Sequence, residues 1–139
     1  MQNDTSARLE IMETLNRYAW GYDSRDLDLM GGSFAVNGSF DIQLEGSDGW
    51  GPYQGRQAIV DWLAEIMQSQ TDQRRHCVTN IIFREISETS ALVESYLVLT
   101  AVEDSELRVV CTGTYHDRMV VEDGQWLIEH KTLKLDNPF

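Results

Sequence analysis

Apolar side chains recur at Ile11, Met12, Leu15, Tyr18, Ala19 and Tyr22, a three-and-four spacing that predicts a long amphipathic helix. Asp4, Thr5 and Ser6 precede it, and each is a residue type that caps a first turn. A shorter helical pattern runs through Leu27, Met30 and Phe34 until Asn37-Gly38 breaks it. Phe40, Ile42 and Leu44 then alternate with polar residues, the signature of a strand. Four glycines and a proline between Gly46 and Gly55 predict a loop. Beyond it, Ile59, Trp62, Leu63, Ile66 and Met67 form one face of a third helix, and that face requires a sheet to pack on.

From Arg75 onward the stretches HCVTNIIF, ALVESYLVLTAV, LRVVCTGTYHDRMVV and QWLIEHKTLKL are rich in β-branched and aromatic residues, so four more strands are expected. The Asp123-Gly124 pair marks a tight hairpin between the last two, and the short connections suit an antiparallel meander. Helices first and strands later indicate an α+β fold rather than alternating βαβ units. No repeat or linker interrupts the pattern, so residues 1–139 read as a single domain.

Composition narrows the partners. The 139 residues are 42% hydrophobic and 24% charged, enough to bury a core without a metal or disulfide. Eleven Lys and Arg against twenty-three Asp and Glu give a formal charge of -12, which repels nucleic acid and anionic membrane surfaces. No run approaches the roughly 20 apolar residues of a membrane-spanning helix. The opening MQNDTSARLE has no signal-peptide pattern, and the widely separated Cys77 and Cys111 fit a reducing cytoplasm.

Among residues able to carry chemistry, Asp23 extends the Leu15–Ala19 row by a further helical step, so a carboxylate ends an apolar stripe. Turned inward, it requires a cationic or hydrogen-bonding partner, because both burial and the helix dipole disfavour its charge. Periodicity alone favours the alternative, a helix-terminal Asp that bends to solvent or caps the Ser24–Asp28 segment. His76 opens a strand beside Arg74 and Arg75, ahead of Val78, Ile81, Ile82 and Phe83, and pattern alone does not decide its role. His116 and His130 read as sheet residues. The histidines and cysteines lack metal-ligand spacing, and neither a nucleophile elbow nor a phosphate-binding glycine loop is present, so no cofactor or metal is expected. What remains is proton transfer by ordinary side chains.

Tyr22-Asp23-Ser24-Arg25-Asp26-Leu27-Asp28 resembles the end of the first helix in scytalone dehydratase. His76-x-x-Thr79-Asn80 and Gly113-Thr114-Tyr115-x-Asp117 resemble segments of hexachlorocyclohexane dehydrochlorinase, while Gly55-Arg56-Gln57-Ala58-Ile59 and Asp123-Gly124-Gln125-Trp126 occupy the places usual for the wider group. The sequence thus resembles the SnoaL-like branch of the nuclear transport factor 2-like superfamily over nearly its full length. The resemblance implies a cone-shaped α+β barrel, a curved and mostly antiparallel sheet wrapped around N-terminal helices with an internal apolar pocket. It also implies a catalytic Asp23–His76 dyad and a homo-oligomer, dimer or trimer.

On the same footing, Tyr18, Tyr22, Asn80, Tyr96, Tyr115 and Lys131 are expected to bind substrate. Tyr22 is positioned to donate to a carbonyl or leaving oxygen, and Lys131 lies near the place of the dehydrochlorinase's late-strand arginine. The implied activity is a cofactor-independent lyase of dehydratase type acting on a small apolar cyclic metabolite such as a polyketide, terpenoid or steroid. An isomerase or cyclase using the same dyad, and a non-catalytic ligand-binding domain, are the alternatives. The dehydratase's second active-site histidine has no counterpart near Thr100 to Glu103, so scytalone itself is not the expected substrate.

Overall fold

In the computed structural model, which describes residues 4–139, helix α1 (Thr5–Ser24) carries Ile11, Leu15, Tyr18 and Tyr22 on its buried face. Asp4 is its N-cap but makes no capping hydrogen bond; its carboxylate takes Arg8 instead, at 3.1 Å. The helix stops where Arg25 adopts a left-handed conformation (φ 58°), and Asp26 caps the following short helix α2 (Leu27–Gly31) by accepting from the Leu29 N–H. Gly21 permits that corner, because a Cβ there would lie 2.4 Å from the Met30 nitrogen.

The helical reading of Phe34 is corrected. The chain turns at Gly31-Gly32, and Phe34 begins strand β1 (Phe34–Leu44), buried completely, with its carbonyl held by the Arg56 guanidinium. The predicted loop between Gly46 and Gly55 also holds a strand, β2 (Trp50–Gln54), antiparallel to β1. Its glycines concealed it, since the pairing rests on backbone rather than on a β-rich side-chain pattern. Helix α3 (Arg56–Gln68) buries Ile59, Trp62, Leu63 and Met67.

The remaining strands are β3 (Gln73–Ile86), β4 (Ser90–Glu103), β5 (Glu106–Glu122) and β6 (Gln125–Leu135). The sheet order is β2-β1-β6-β5-β4-β3, so β3 to β6 form the expected antiparallel meander while β1 lies parallel to β6. At the β5–β6 hairpin Asp123 and Gly124 both take positive φ, 51° and 76°, as a two-residue turn requires. Register shifts interrupt β1, β3, β4–β5 and β5–β6, and such bulges increase twist and bend a sheet. The result is an α+β fold with a curved six-strand sheet whose concave face packs on α1 and α3. Among the described residues, no helix is long and apolar enough to cross a membrane.

Candidate active site

Asp23 and His76 meet across the gap between the end of α1 and the start of β3. The His76 Nδ1 lies 2.6 Å from Asp23 Oδ1, and the His76 backbone N–H donates to Asp23 Oδ2 at 2.8 Å. Both carboxylate oxygens therefore hold the same residue, one by its ring and one by its main chain. The Asp23 carbonyl in turn accepts from Gln73 Nε2 at 2.8 Å, tying the helix end to the strand. Both side chains are buried, 8% and 7% exposed.

A carboxylate only accepts, so Nδ1 carries a proton, and in the neutral imidazole the lone pair is on Nε2. Among the described residues nothing hydrogen-bonds Nε2. The ring lines a small cavity of about 40 Å³, whose walls come from Tyr18 and Tyr22 of α1, Leu63 and Ile66 of α3, and inward residues of the sheet such as Phe40 and Leu97.

The tyrosines divide by what their hydroxyls do. Tyr22 packs its ring 4.7 Å from the imidazole, and its hydroxyl donates to Gln70 Oε1 at 2.8 Å. Tyr22 lines the cavity as expected, with Gln70 as the acceptor of its proton in this structure. Burial raises its pKa, with Arg74 and the Gln70 bond opposing. Tyr18 and Tyr115 sit deeper in the same wall, their rings 6.4 Å apart. Burial pushes both phenols well above the usual tyrosine range, and neighbouring tyrosine and carboxylate groups push further.

Three expected binding residues do not line the cavity. Tyr96 projects from the outer face of β4, 54% exposed, because the inward positions there are Ser95 and Leu97. Asn80 sits at the register break of β3 with φ 54° and is exposed; a bulge has turned it away. Lys131 does point inward, but its Nζ is bound by Asp117 at 3.0 and 3.2 Å and lies beneath the rings of Tyr115 (3.8 Å) and Tyr18 (4.8 Å). Desolvation lowers the Lys131 pKa and raises that of Asp117, while their mutual attraction opposes both shifts. Lys131 is a core residue behind the tyrosines, not a group presented to a ligand.

Sequence reasoning missed Arg74, a cavity-lining cation two residues before His76 on the same inward face of β3. Strand alternation was the signal that placed it there. Cys111 also lines the cavity, its thiol pKa raised by burial, whereas Cys77 is exposed. His116 and His130 lie on the outer face, where His130 contacts Ser39, Asp41 and Thr132. Among the described residues, no three His, Cys, Asp or Glu side chains are grouped to hold a metal ion.

Comparison with known proteins agrees with this architecture. An aspartate-to-asparagine variant of Rv3472 from Mycobacterium tuberculosis, a protein of unknown function, superposes with a TM-score of 0.82 at 26% identity, covering 94% of this chain and 72% of its own. An NTF2-like protein with a cystatin-like fold from Novosphingobium aromaticivorans gives 0.81 at 16% identity, over 94% and 82%. ActVI-ORFA from Streptomyces coelicolor gives 0.79 at 20% identity, over 94% and 98%. No curated protein sequence matches. The family model of the SnoaL-like domain matches residues 3–132, nearly the whole chain, and the protein belongs to that family.

Proposed function

We propose that the protein is a cofactor-independent lyase of dehydratase type that acts on an apolar cyclic metabolite, a polyketide, terpenoid or steroid, with Asp23 and His76 as its base. One observation carries this reading: Asp23 holds both the Nδ1 and the backbone N–H of His76, while Nε2 has no hydrogen-bond partner among the described residues, on a ring that lines an apolar cavity. Membership of a family that includes small-molecule-binding and catalytic domains supports it.

The chemistry follows from the geometry. Nε2 takes a proton from a carbon beside a carbonyl, and the C–H electron pair becomes the new double bond as a hydroxyl leaves the neighbouring carbon. Asp23 stabilises the imidazolium, which returns its proton to the departing oxygen to form water. The fixed tautomer lets the imidazole act without reorienting.

A second reading, an isomerase or cyclase using the same base, is favoured by one feature. The Tyr22 hydroxyl donates to Gln70 in this structure, and assisting a departing oxygen beside the base would require it to give up that bond. The β-hydroxy ketone 3-hydroxy-1-tetralone separates the readings. A lyase converts it to 1-naphthol and water, read as naphthol fluorescence and a mass lower by one water. Deuterium uptake at C2 without loss of water indicates the second reading. Neither change above the His76→Gln background leaves a binding domain and removes the catalytic proposal.

A further inference from the structure

Resting on the reading of this cavity as a substrate site, the geometry points to Arg74 as the residue that recognises an ionised oxygen on the ligand, so that the apolar ring system of the substrate carries a carboxylate or comparable acidic oxygen in addition to the carbonyl beside which the base acts. Arg74 belongs to two spaces at once. It lines the inner cavity beside His76, and it also lines an outer cleft walled by Trp50, Tyr53, Trp62 and Phe139. Tyr53 stacks on Trp62 at 4.0 Å and 17°, and Trp50 lies 5.2 Å from Phe139, so the cleft presents flat aromatic faces. The inner cavity, about 40 Å³, admits only the reacting edge of a ring system. The body of such a ligand lies in the cleft and passes Arg74 on the way.

The guanidinium is built to receive an anion there. Its Nε and Nη2 engage Asp72 at 3.0 and 3.5 Å, and among the described residues Nη1 donates no hydrogen bond. The side edge of the fork is thus occupied, and the end edge, Nη1 with the second N–H of Nη2, has the geometry that grips a carboxylate with two bonds. Arg74 lines the cavity together with Tyr22 and Cys111, from a helix and a strand, and its charge opposes the burial-driven rise of both their pKa values.

At Asp72 the guanidiniums outnumber the carboxylate, and the nearby Asp23 carboxylate is taken up by His76. Asp72 is shared with Arg108 Nη2 at 3.1 Å, so one carboxylate faces two guanidiniums. Arg25 stands close by, donating to the carbonyls of Met67 and Gln70. The exposed Glu65 is the acidic residue on the cleft wall. In a chain of net charge -12, which repels anions at long range, a cationic spot at the cavity mouth selects for them at contact.

The test is binding, so it does not depend on turnover. Matched acids and neutral isosteres of one, two and three rings are titrated by calorimetry: benzoate with acetophenone, 2-naphthoate with 2-acetylnaphthalene, and 2-anthroate with 2-acetylanthracene. The wild type is expected to bind at least one acid about tenfold more tightly than its isostere. Arg74→Met removes that preference while retaining affinity for the ketone, and Arg74→Lys retains part of it. Arg108→Met, which leaves Arg74 paired with Asp72, retains it. His76→Gln retains it as well, even if the imidazole proves not to be a base, so the two proposals fail separately. Equal affinity within every pair, binding of neither member of any pair, or a preference that survives Arg74→Met would overturn the assignment. Loss of the preference in His76→Gln would assign the anion to the dyad and overturn it too.

Discussion

Two of the buried pairs of a carboxylate with a basic group differ in what lies beyond them. Asp117 and Lys131 are sealed: their side chains are 0% and 2% exposed, they face each other on adjacent strands, and two tyrosine rings roof the ammonium. Asp23 and His76 are nearly as buried, but they join a helix to a strand, and the imidazole borders a cavity with one nitrogen unpartnered among the described residues. The first pair has every strong contact satisfied within the pair and can only hold the core in place. The second has one satisfied side and one open side, the arrangement a base requires.

That difference predicts opposite sensitivities. The largest effect is on stability. Lys131→Met strands a carboxylate in the core and is expected to cost about 3 to 5 kcal/mol in denaturant unfolding, whereas Lys131→Met with Asp117→Leu recovers most or all of it. A single variant as stable as the double would show that the pair is not coupled.

Asp23→Asn acts on function instead. An amide cannot offset the imidazolium charge and can present an N–H to the ring, so kcat is expected to fall by about 10²-fold or more, while the fold persists. Steady-state kinetics with circular dichroism of the same sample checks both halves. Tyr22→Phe loses only the Gln70 hydrogen bond, and a stability change of about 0.5 to 1.5 kcal/mol, with little change in kcat, is the expected outcome.

The smallest effect is at alkaline pH. Tyr18 and Tyr115 hold their protons in the folded state above the range, about pH 10, in which the unfolded chain releases them. Their contribution to stability is therefore complete below that pH and is lost as pH rises toward the native values. Unfolding free energy measured upward from pH 10 should decline less steeply in Tyr115→Phe than in the wild type. An unchanged slope would place that phenol's titration in the ordinary range.

The two pairs also differ in how far they could be read from sequence. Asp23 was reachable because it lies on the Leu15–Ala19 row, and the family resemblance decided between inward and outward for it and supplied its partner His76. Lys131 was placed on the right strand and given the wrong surroundings. Counting back from the Asp123-Gly124 turn, where Glu122 pairs with Gln125, sets Asp117 opposite His130; the bulge between Arg118 and Met119 shifts the ladder so that Lys131 faces it. Such a bulge leaves no local mark in the sequence.

The same limit hid the orientation of Asn80, whereas Tyr96 is outward by plain alternation once Val93 and Leu97 are seen to be core. The helices and the four-strand meander were legible because periodicity and turn chemistry are local. The parallel β1–β6 pairing and the short β2 depend on contacts distant in sequence, and the hydroxyl of Tyr22 was claimed by Gln70, 48 positions away.

The central claim, that the imidazole facing the cavity is a base, is tested most directly by solvent deuterium uptake at the carbon beside the carbonyl of 2-tetralone, followed by NMR in D₂O. This readout needs neither a leaving group nor knowledge of the natural substrate. Wild-type protein is expected to accelerate uptake above buffer, and His76→Gln to reduce that acceleration by about 10² to 10⁴-fold while Lys131→Met, wherever it remains folded, retains most of it. Uptake by His76→Gln at the wild-type rate, or no acceleration by the wild type, would contradict the account.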